Sequence, residues 1–486
     1  MELSERMLTY GITLGLILGY VYFCGGAYGW LRRYYSWRPY CAVLAILLGQ
    51  ACLSFIFQLR FLTESAVVGW IFLILLVLFA GKGILKSSSY WRRDGGELLR
   101  CGRKYPWVAG LVLLFLSYLF LQVWFLYPQN YDSRVYHLPR IELFIQENTF
   151  FLSSATRFHQ LVFPVGADIL FFPFLSLNNP YGLGIFSLSC YLCLGWGTYA
   201  LGSSVSQSKS AGALSALGMM SLPLVVFQAT STKNDFLIAG VFLGLLLHIM
   251  HMKQQRRPLD WAVLALLIAY GISVKTLFLG AIPGLFLFAV LHLKLWSWRR
   301  WSELFQELAE ARVALLLSLL PCLVLSQVWL FLWNFYHFGG WSGPTEFTDT
   351  LKNPAGLVGG LKTAAYYVSQ VFYLGRVPDL LISGEGSSLL WSQRFSIQMA
   401  SFWDSLFGEV NNARDTLIFV WVPHEDFSWF GPLGWLLLFV AVPYGLIRHP
   451  RLGKFLIPSF LYFCILSYEV IWMPWNGRFL TVFFFG

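Results

Sequence analysis

"YPWVAGLVLLFLSYLFLQVWFLYP", residues 105–128, contains no charged side chain over its whole length, and its reading decides the fold class. An α-helix needs about 20 predominantly apolar residues to cross the hydrocarbon of a bilayer, which this stretch supplies. Similar runs recur at about 8–29, 41–60, 66–85, 181–203, 211–228, 235–252, 259–273, 276–294, 313–335, 429–447, 454–473 and from 478 onward. The pattern predicts an all-α polytopic membrane protein, a bundle of about 13 transmembrane helices. Composition agrees: 57% of residues are hydrophobic and only 12% charged, too few to coat a water-soluble fold of this size. In water 486 residues would divide into roughly three domains, whereas in lipid one bundle absorbs most of them.

The links between the runs predict orientation. "RRYYSWR" (32–38), "KSSSYWRRDGGELLRCGRK" (86–104), "HMKQQRRP" (251–258), "KLWSWRRWSELFQELAEARV" (294–313) and "RHPRLGK" (448–454) are basic, so the positive-inside rule assigns them to the cytoplasm. Strict alternation then puts 128–180, 229–234, 274–275, 336–428 and 474–477 on the other side, and this one assignment satisfies every basic link. The net charge of +10 is spread over these short clusters and predicts no nucleic-acid partner. Eight cysteines lie in or beside apolar runs or on the basic side and form neither a disulfide framework nor a zinc pattern. The first run is long and lacks a small-residue cleavage site, so it reads as a retained helix. The chain stops within the apolar "RFLTVFFFG", which leaves further spans open. The stretch "SWRRWSELFQELAEARV" (297–313) reads as an amphipathic helix on the inner surface.

Polar chemistry concentrates immediately after the opening run, in "YDSRVYHLPR" (131–140). Asp132 falls a few residues past the end of a span, at headgroup depth, where it either caps the turn "DSRV" or serves a ligand. Pro139 and the apolar residues Leu138, Ile141, Leu143, Phe144 and Ile145 predict a short interfacial helix over "LPRIELFIQEN" (138–148). The other outer links add Lys233, Asn234 and Asp235, then Lys275, then Arg478, and the first loop also carries Glu142 and Asp168. Each cation alone reads as snorkelling. Together on one face they suit a lipid-linked phosphate, with a carboxylate beside them for an acceptor hydroxyl.

These residues carry a resemblance. "YDSRVYHLPRIELFIQENT" (131–149), "FHQLVFPVGADIL" (158–170) and "ATSTKNDFLIAG" (229–240) resemble membrane glycosyltransferases of the GT-C superfamily, in particular bacterial proteins related to family 39 protein mannosyltransferases and to the aminoarabinose transferase of lipid A. In those proteins the first segment reads approximately Trp-Asp-x-x-x-Tyr-His-Leu-Pro-Arg, matched here from Asp132 to Arg140 with Tyr131 in place of the tryptophan. "HEDFSWFGPLG" (424–434) and "PWNGRFL" (474–480) are similar to later segments, so the likeness covers about 128–480. The resemblance implies a GT-C-like division: additional N-terminal helices and a basic link over 1–105, a catalytic membrane module over 106–335 that includes the first outer loop 128–180, a long outer loop over 336–428, and C-terminal helices over 429–486.

It also implies an inverting transfer of sugar from a polyprenyl-phosphate donor to an acceptor saccharide, lipid or protein. The protein would lie in the bacterial inner membrane with its site facing the periplasm or cell exterior. Asp132 would be the general base or a metal ligand, Asp235 a second acidic position, and Lys275 and Arg478 the neutralisers of the departing phosphate. Protein mannosyltransferases have two adjacent acidic residues where this chain has Asp132-Ser133, which leaves base and metal ligand undivided. Tyr136, His137, Arg140, His159 and Gln160 complete the candidate substrate-binding set, Arg140 through a phosphate or through Glu142 or Glu147. Asp132, Asp235 and His424 are the candidate ligands of a divalent cation, Mg or Mn. No phosphate loop for a nucleotide is present, and His424-Glu425-Asp426 is not the His-Glu-x-x-His of a zinc hydrolase. Two other classes fit the span pattern: a transporter or flippase, disfavoured by the lack of an internal repeat, and a polymerase or ligase of lipid-linked glycans.

Overall fold

The computed structural model describes residues 3–254, 256–371, 379, 381, 390–411, 413–414, 417, 424–426, 429–449 and 452–482. Among them there is no β-strand, and nine helices are long and apolar enough to cross a membrane: Ser4–Tyr34, Arg38–Leu62, Ala66–Lys86, Pro106–Phe125, Ile185–Ser206, Asp235–Gln254, Thr276–Leu293, Arg312–Phe338 and Gly431–Arg448. The protein is an all-α, multi-pass membrane protein whose outward-facing apolar side chains contact lipid.

Other apolar runs take shorter forms. The run 211–228 divides at Ser221 and Leu222 into Lys209–Met220 and Pro223–Gln228, because Pro223 has no N–H for a continuing ladder and suits a helix start. The run 259–273 becomes Pro258–Val274, and 454–473 becomes Gly453–Glu469 with an extended segment after it. The segment Pro474–Leu480 is a 3₁₀-helix. The span 336–428 carries helices of its own, including Gly356–Val371 and Trp391–Phe407.

The helix Asp235–Gln254 is the centre of the bundle. It is apolar all round, which suits burial on every side, and all of its residues from Asp235 to Met252 are buried. Gly244 allows a close approach, since a Cβ there would lie 2.3 Å from a methyl of Leu47 on Arg38–Leu62. Gly240 and Gly244 thus form the small-xxx-small spacing by which helices pack in lipid. Arg38–Leu62 is itself mostly buried, so this N-terminal helix is built into the common core. Gln50, Ser54 and Gln58, spaced four apart, form a polar stripe on it. Gln50 donates to Ser189 Oγ at 2.9 Å and Gln58 to Ser273 Oγ at 3.0 Å. In lipid such groups cost several kcal/mol unpaired, so each bond holds its helix in register.

The two ends of the bundle differ. At one end Arg32 and Arg38 each meet Asp94 at 2.9 Å, Arg257 donates to the Tyr34 carbonyl at 2.6 Å, and Arg256 meets Glu307 at 3.0 Å. Four of the links assigned to one side by their charge therefore join one another. Asp235 opens the central helix at the other end, 20 residues and so about 30 Å away.

Candidate functional site

Around Asp235 the chain assembles residues from five separate links. Asn234 Nδ2 donates to the Val274 carbonyl at 3.1 Å, fastening the link before the central helix to the one that carries Lys275. Ser133 pairs with Thr232 through their hydroxyls, and Asn130 Oδ1 accepts from the Ser133 N–H at 2.8 Å, so the start of the first loop is fixed to the same place. The 3₁₀-turn Pro474–Leu480 supplies Arg478, and the segment 424–426 supplies Asp426.

Three carboxylates and three cations meet there. Arg478 is 3.0 Å from Asp132, 3.2 Å from Asp235 and 2.5 Å from Asp426. Lys233 pairs with Asp426 and lies 3.2 Å from Asp132, while Lys275 pairs with Asp235. The cluster is balanced in charge, as a group this enclosed must be. Its members are not equally enclosed: Asp132 is 21% exposed and Asp235 3%. Burial alone would push the Asp132 carboxyl up, but Arg478 first and Lys233 next hold it well below the usual carboxylate range. The alternative role as a turn cap is not taken, since Asp132 makes no capping bond.

A second, fully enclosed group lies alongside. His137 Nδ1 is 2.8 Å from Asp168, and Arg140 pairs with the same carboxylate while donating to the Phe163 and Pro164 carbonyls at 3.0 and 2.5 Å. Burial opposes ionisation of Asp168, yet Arg140 and His137 hold its carboxyl below the ordinary range. The reading of Arg140 as a phosphate contact is corrected: its side chain is 1% exposed and its partner is Asp168, neither Glu142 nor Glu147. The predicted helix is present at Leu138–Glu147, and it buries Ile141 and Phe144 in the protein core.

The backbone that presents Asp168 is pinned into the bundle. Gly166 N–H donates to the Ser273 carbonyl at 2.8 Å, Ser54 Oγ donates to the Gly166 carbonyl at 2.8 Å, and the Val165 N–H donates to Gln327 Oε1 at 3.1 Å. Only glycine fits at 166, because an added Cβ would lie 1.8 Å from Ser273 Oγ and 2.8 Å from its carbonyl oxygen.

The remaining candidates separate into two kinds. Tyr136 stacks beside His137 and His159, at ring separations of 4.1 and 5.2 Å, and burial holds the Tyr136 phenol well above its ordinary range. Burial lowers the His159 imidazole, which favours its neutral form. Gln160 is spent on backbone: it donates to the Val135 carbonyl at 3.2 Å and accepts from the Thr156 N–H at 3.3 Å. His424 Nδ1 accepts from the Asp426 N–H at 3.2 Å.

The metal reading meets a different arrangement. Among the described residues no three His, Cys, Asp or Glu side chains converge as a cation would require. Asp132 and Asp235 face ammonium and guanidinium groups, so their oxygens are already neutralised, and Asp132, Asp235 and His424 do not fit a divalent ion as they stand. Sequence reasoning placed Lys233 only as a cation on the right face and missed Asp426 as its partner. The signal available was an acidic doublet after His424 in an otherwise largely apolar stretch, "LIFVWVPHEDFSWF" (417–430). Compared with models of protein families, with curated proteins and with solved structures, the chain matches none of them.

Proposed function

We propose that this protein is an inverting glycosyltransferase of GT-C type, which moves a sugar from a polyprenyl-phosphate donor to an acceptor hydroxyl at the outer face of the bacterial inner membrane. About thirteen crossings, counting the shorter helices, would bring the even-numbered links, 128–180, 229–234, 274–275, 336–428 and 474–477, to that face. The observation that carries the reading is the convergence of Asp132, Asp235, Lys275 and Arg478, drawn from four links, into one partly open cluster at one end of the bundle.

Its charge balance supplies a mechanism. An arriving phosphate takes up Lys275 and Arg478 by loosening their hold on Asp235 and Asp132. Asp132 loses Arg478, the larger of its two counter-charges, keeps Lys233 shared with Asp426, and regains part of its basicity, so donor binding itself arms the base. The acceptor oxygen then attacks the anomeric carbon and its proton passes to Asp132. The bond from the anomeric carbon to the phosphate oxygen breaks, and Lys275 and Arg478 stabilise the charge that grows on the departing polyprenyl phosphate. Attack opposite the leaving group inverts the centre. No metal step is included, because the carboxylates that would bind one already serve cations.

Mass spectrometry of lipid copurifying with the full chain tests the donor assignment. The proposal expects a polyprenyl phosphate with or without its sugar; enrichment of ordinary phospholipid alone counts against it.

A further inference from the structure

Three segments that build the ion cluster also form the wall of a neighbouring cavity of about 460 Å³. Asn130 lines the cavity and Asp132, two residues on, enters the cluster; Ser231 lines it and Lys233 enters the cluster; Glu425 lines it and Asp426 enters the cluster. Whatever occupies the cavity is therefore one or two residues along the chain from a member of the ion cluster at three points of its wall, and from Asp132 itself at Asn130. The rim carries the exposed Leu126 and Tyr127, at the end of the helix Pro106–Phe125, so the space opens where that helix leaves the apolar zone.

The lining selects among ligands. Among the described residues it has no lysine or arginine, with His424 and Glu425 as its titratable imidazole and carboxyl, so it offers a phosphate no fixed positive charge, unlike the Lys275 and Arg478 cluster beside it. Asn130 and Ser231 already accept from the Ser133 and Lys233 N–H groups at 2.8 and 3.1 Å, whereas Gln129 and Glu425 would be poorly matched by a purely apolar chain. Side-chain amides, a hydroxyl and a carboxyl set among Tyr127 and Tyr181 suit a ring with many hydroxyls and an apolar face. Glu425 adds a carboxyl to the wall that can exchange hydrogen bonds with neutral hydroxyls. The volume lies within the roughly 300–1,000 Å³ of small-ligand sites.

We infer that this cavity binds an uncharged sugar ring, and that this ring is the acceptor, held with a hydroxyl toward Asp132. Calling the ligand an acceptor rests on the transferase reading; the affinity for a sugar ring does not. The purified full chain is titrated with a panel of neutral mono- to trisaccharides, and separately with farnesyl phosphate, reading thermal unfolding. At least one saccharide should protect saturably. Tyr181→Ala, Glu425→Gln and Gln129→Ala should each weaken that protection by about tenfold, the loss expected for one polar or stacking contact, and leave farnesyl phosphate protection within about twofold. No protection by any saccharide, or unaltered protection in all three variants, overturns the cavity assignment. Saccharide protection together with undiminished sugar transfer by Asp132→Asn overturns the transferase reading and leaves the cavity a saccharide site.

Discussion

Replacing Arg478 by methionine tests the ion cluster through its most connected member. Arg478 reaches Asp132 at 3.0 Å, Asp235 at 3.2 Å and Asp426 at 2.5 Å, and its side chain is 9% exposed. Without it, Lys233 and Lys275 face three carboxylates, and one negative charge is left enclosed and unmatched. Stranding one partner of a buried pair costs about 3–5 kcal/mol, and the 21% exposure of Asp132 lets water relieve some of this, so about 3 kcal/mol is expected. Adding Asp132→Asn restores two anions against two cations, and the double variant should be more stable than the sum of its parts by at least about 1 kcal/mol. A thiol-reactive fluorophore reads unfolding in detergent, since Cys41, Cys190 and Cys193 are buried in the folded chain and the exposed Cys52, Cys101 and Cys464 set the baseline. Lys352→Met, which removes an exposed pair with Asp349, is the control and should change nothing measurable. An Arg478→Met variant as stable as the parent, or a strictly additive double variant, would refute the idea that these six charges form one balanced unit.

Asp168→Asn should destabilise by about 3–5 kcal/mol in the same assay, because Arg140 is left buried with only carbonyl partners, and Arg140→Met combined with Asp168→Leu should cost less than Asp168→Asn alone. Gly166→Ala should cost about 1–3 kcal/mol and displace the Asp168 segment, read as faster proteolysis within 150–170, since the new methyl overlaps Ser273. Acid stability follows from the two depressed carboxyls. A group whose folded pKa is depressed contributes stability above its unfolded pKa, near 4, and loses it only as pH falls through the lower folded value. The unfolding midpoint should therefore stay level from pH 8 to about 5 as far as Asp132 and Asp168 are concerned, and a decline already under way near pH 6 that is absent from Asp168→Asn would contradict this.

Much of this arrangement was legible in the chain because lipid leaves few choices. Uninterrupted apolar length predicts helices, and the basic links predict which ends lie together, which is why Arg32, Arg38, Asp94 and Arg257 could be assigned to one end in advance. Alternation also brought Asp132, Lys233, Lys275 and Arg478 to a common face, although only tertiary packing decides that they touch. Partner choice was not legible. Arg140 turns inward to Asp168 because the "FPVGAD" segment (163–168) plugs into the bundle, and that depends on Gly166, Ser54, Ser273 and Gln327, four positions far apart in sequence. The stripe Gln50, Ser54, Gln58 was the available clue: three polar residues at helical spacing within an apolar run have to find partners. Crossing count was not legible, since a single proline at 223 converts one expected span into two short helices.

The most direct measurement of the central claim uses proteoliposomes loaded with the lipid-linked donor that copurifies with the protein, and follows transfer of its sugar by the parent chain and by Asp132→Asn. A general base is worth about 10²–10⁴ in rate, so the variant should lose transfer by that factor while still binding polyprenyl phosphate. Transfer at the parental rate by a folded Asp132→Asn protein would contradict the account.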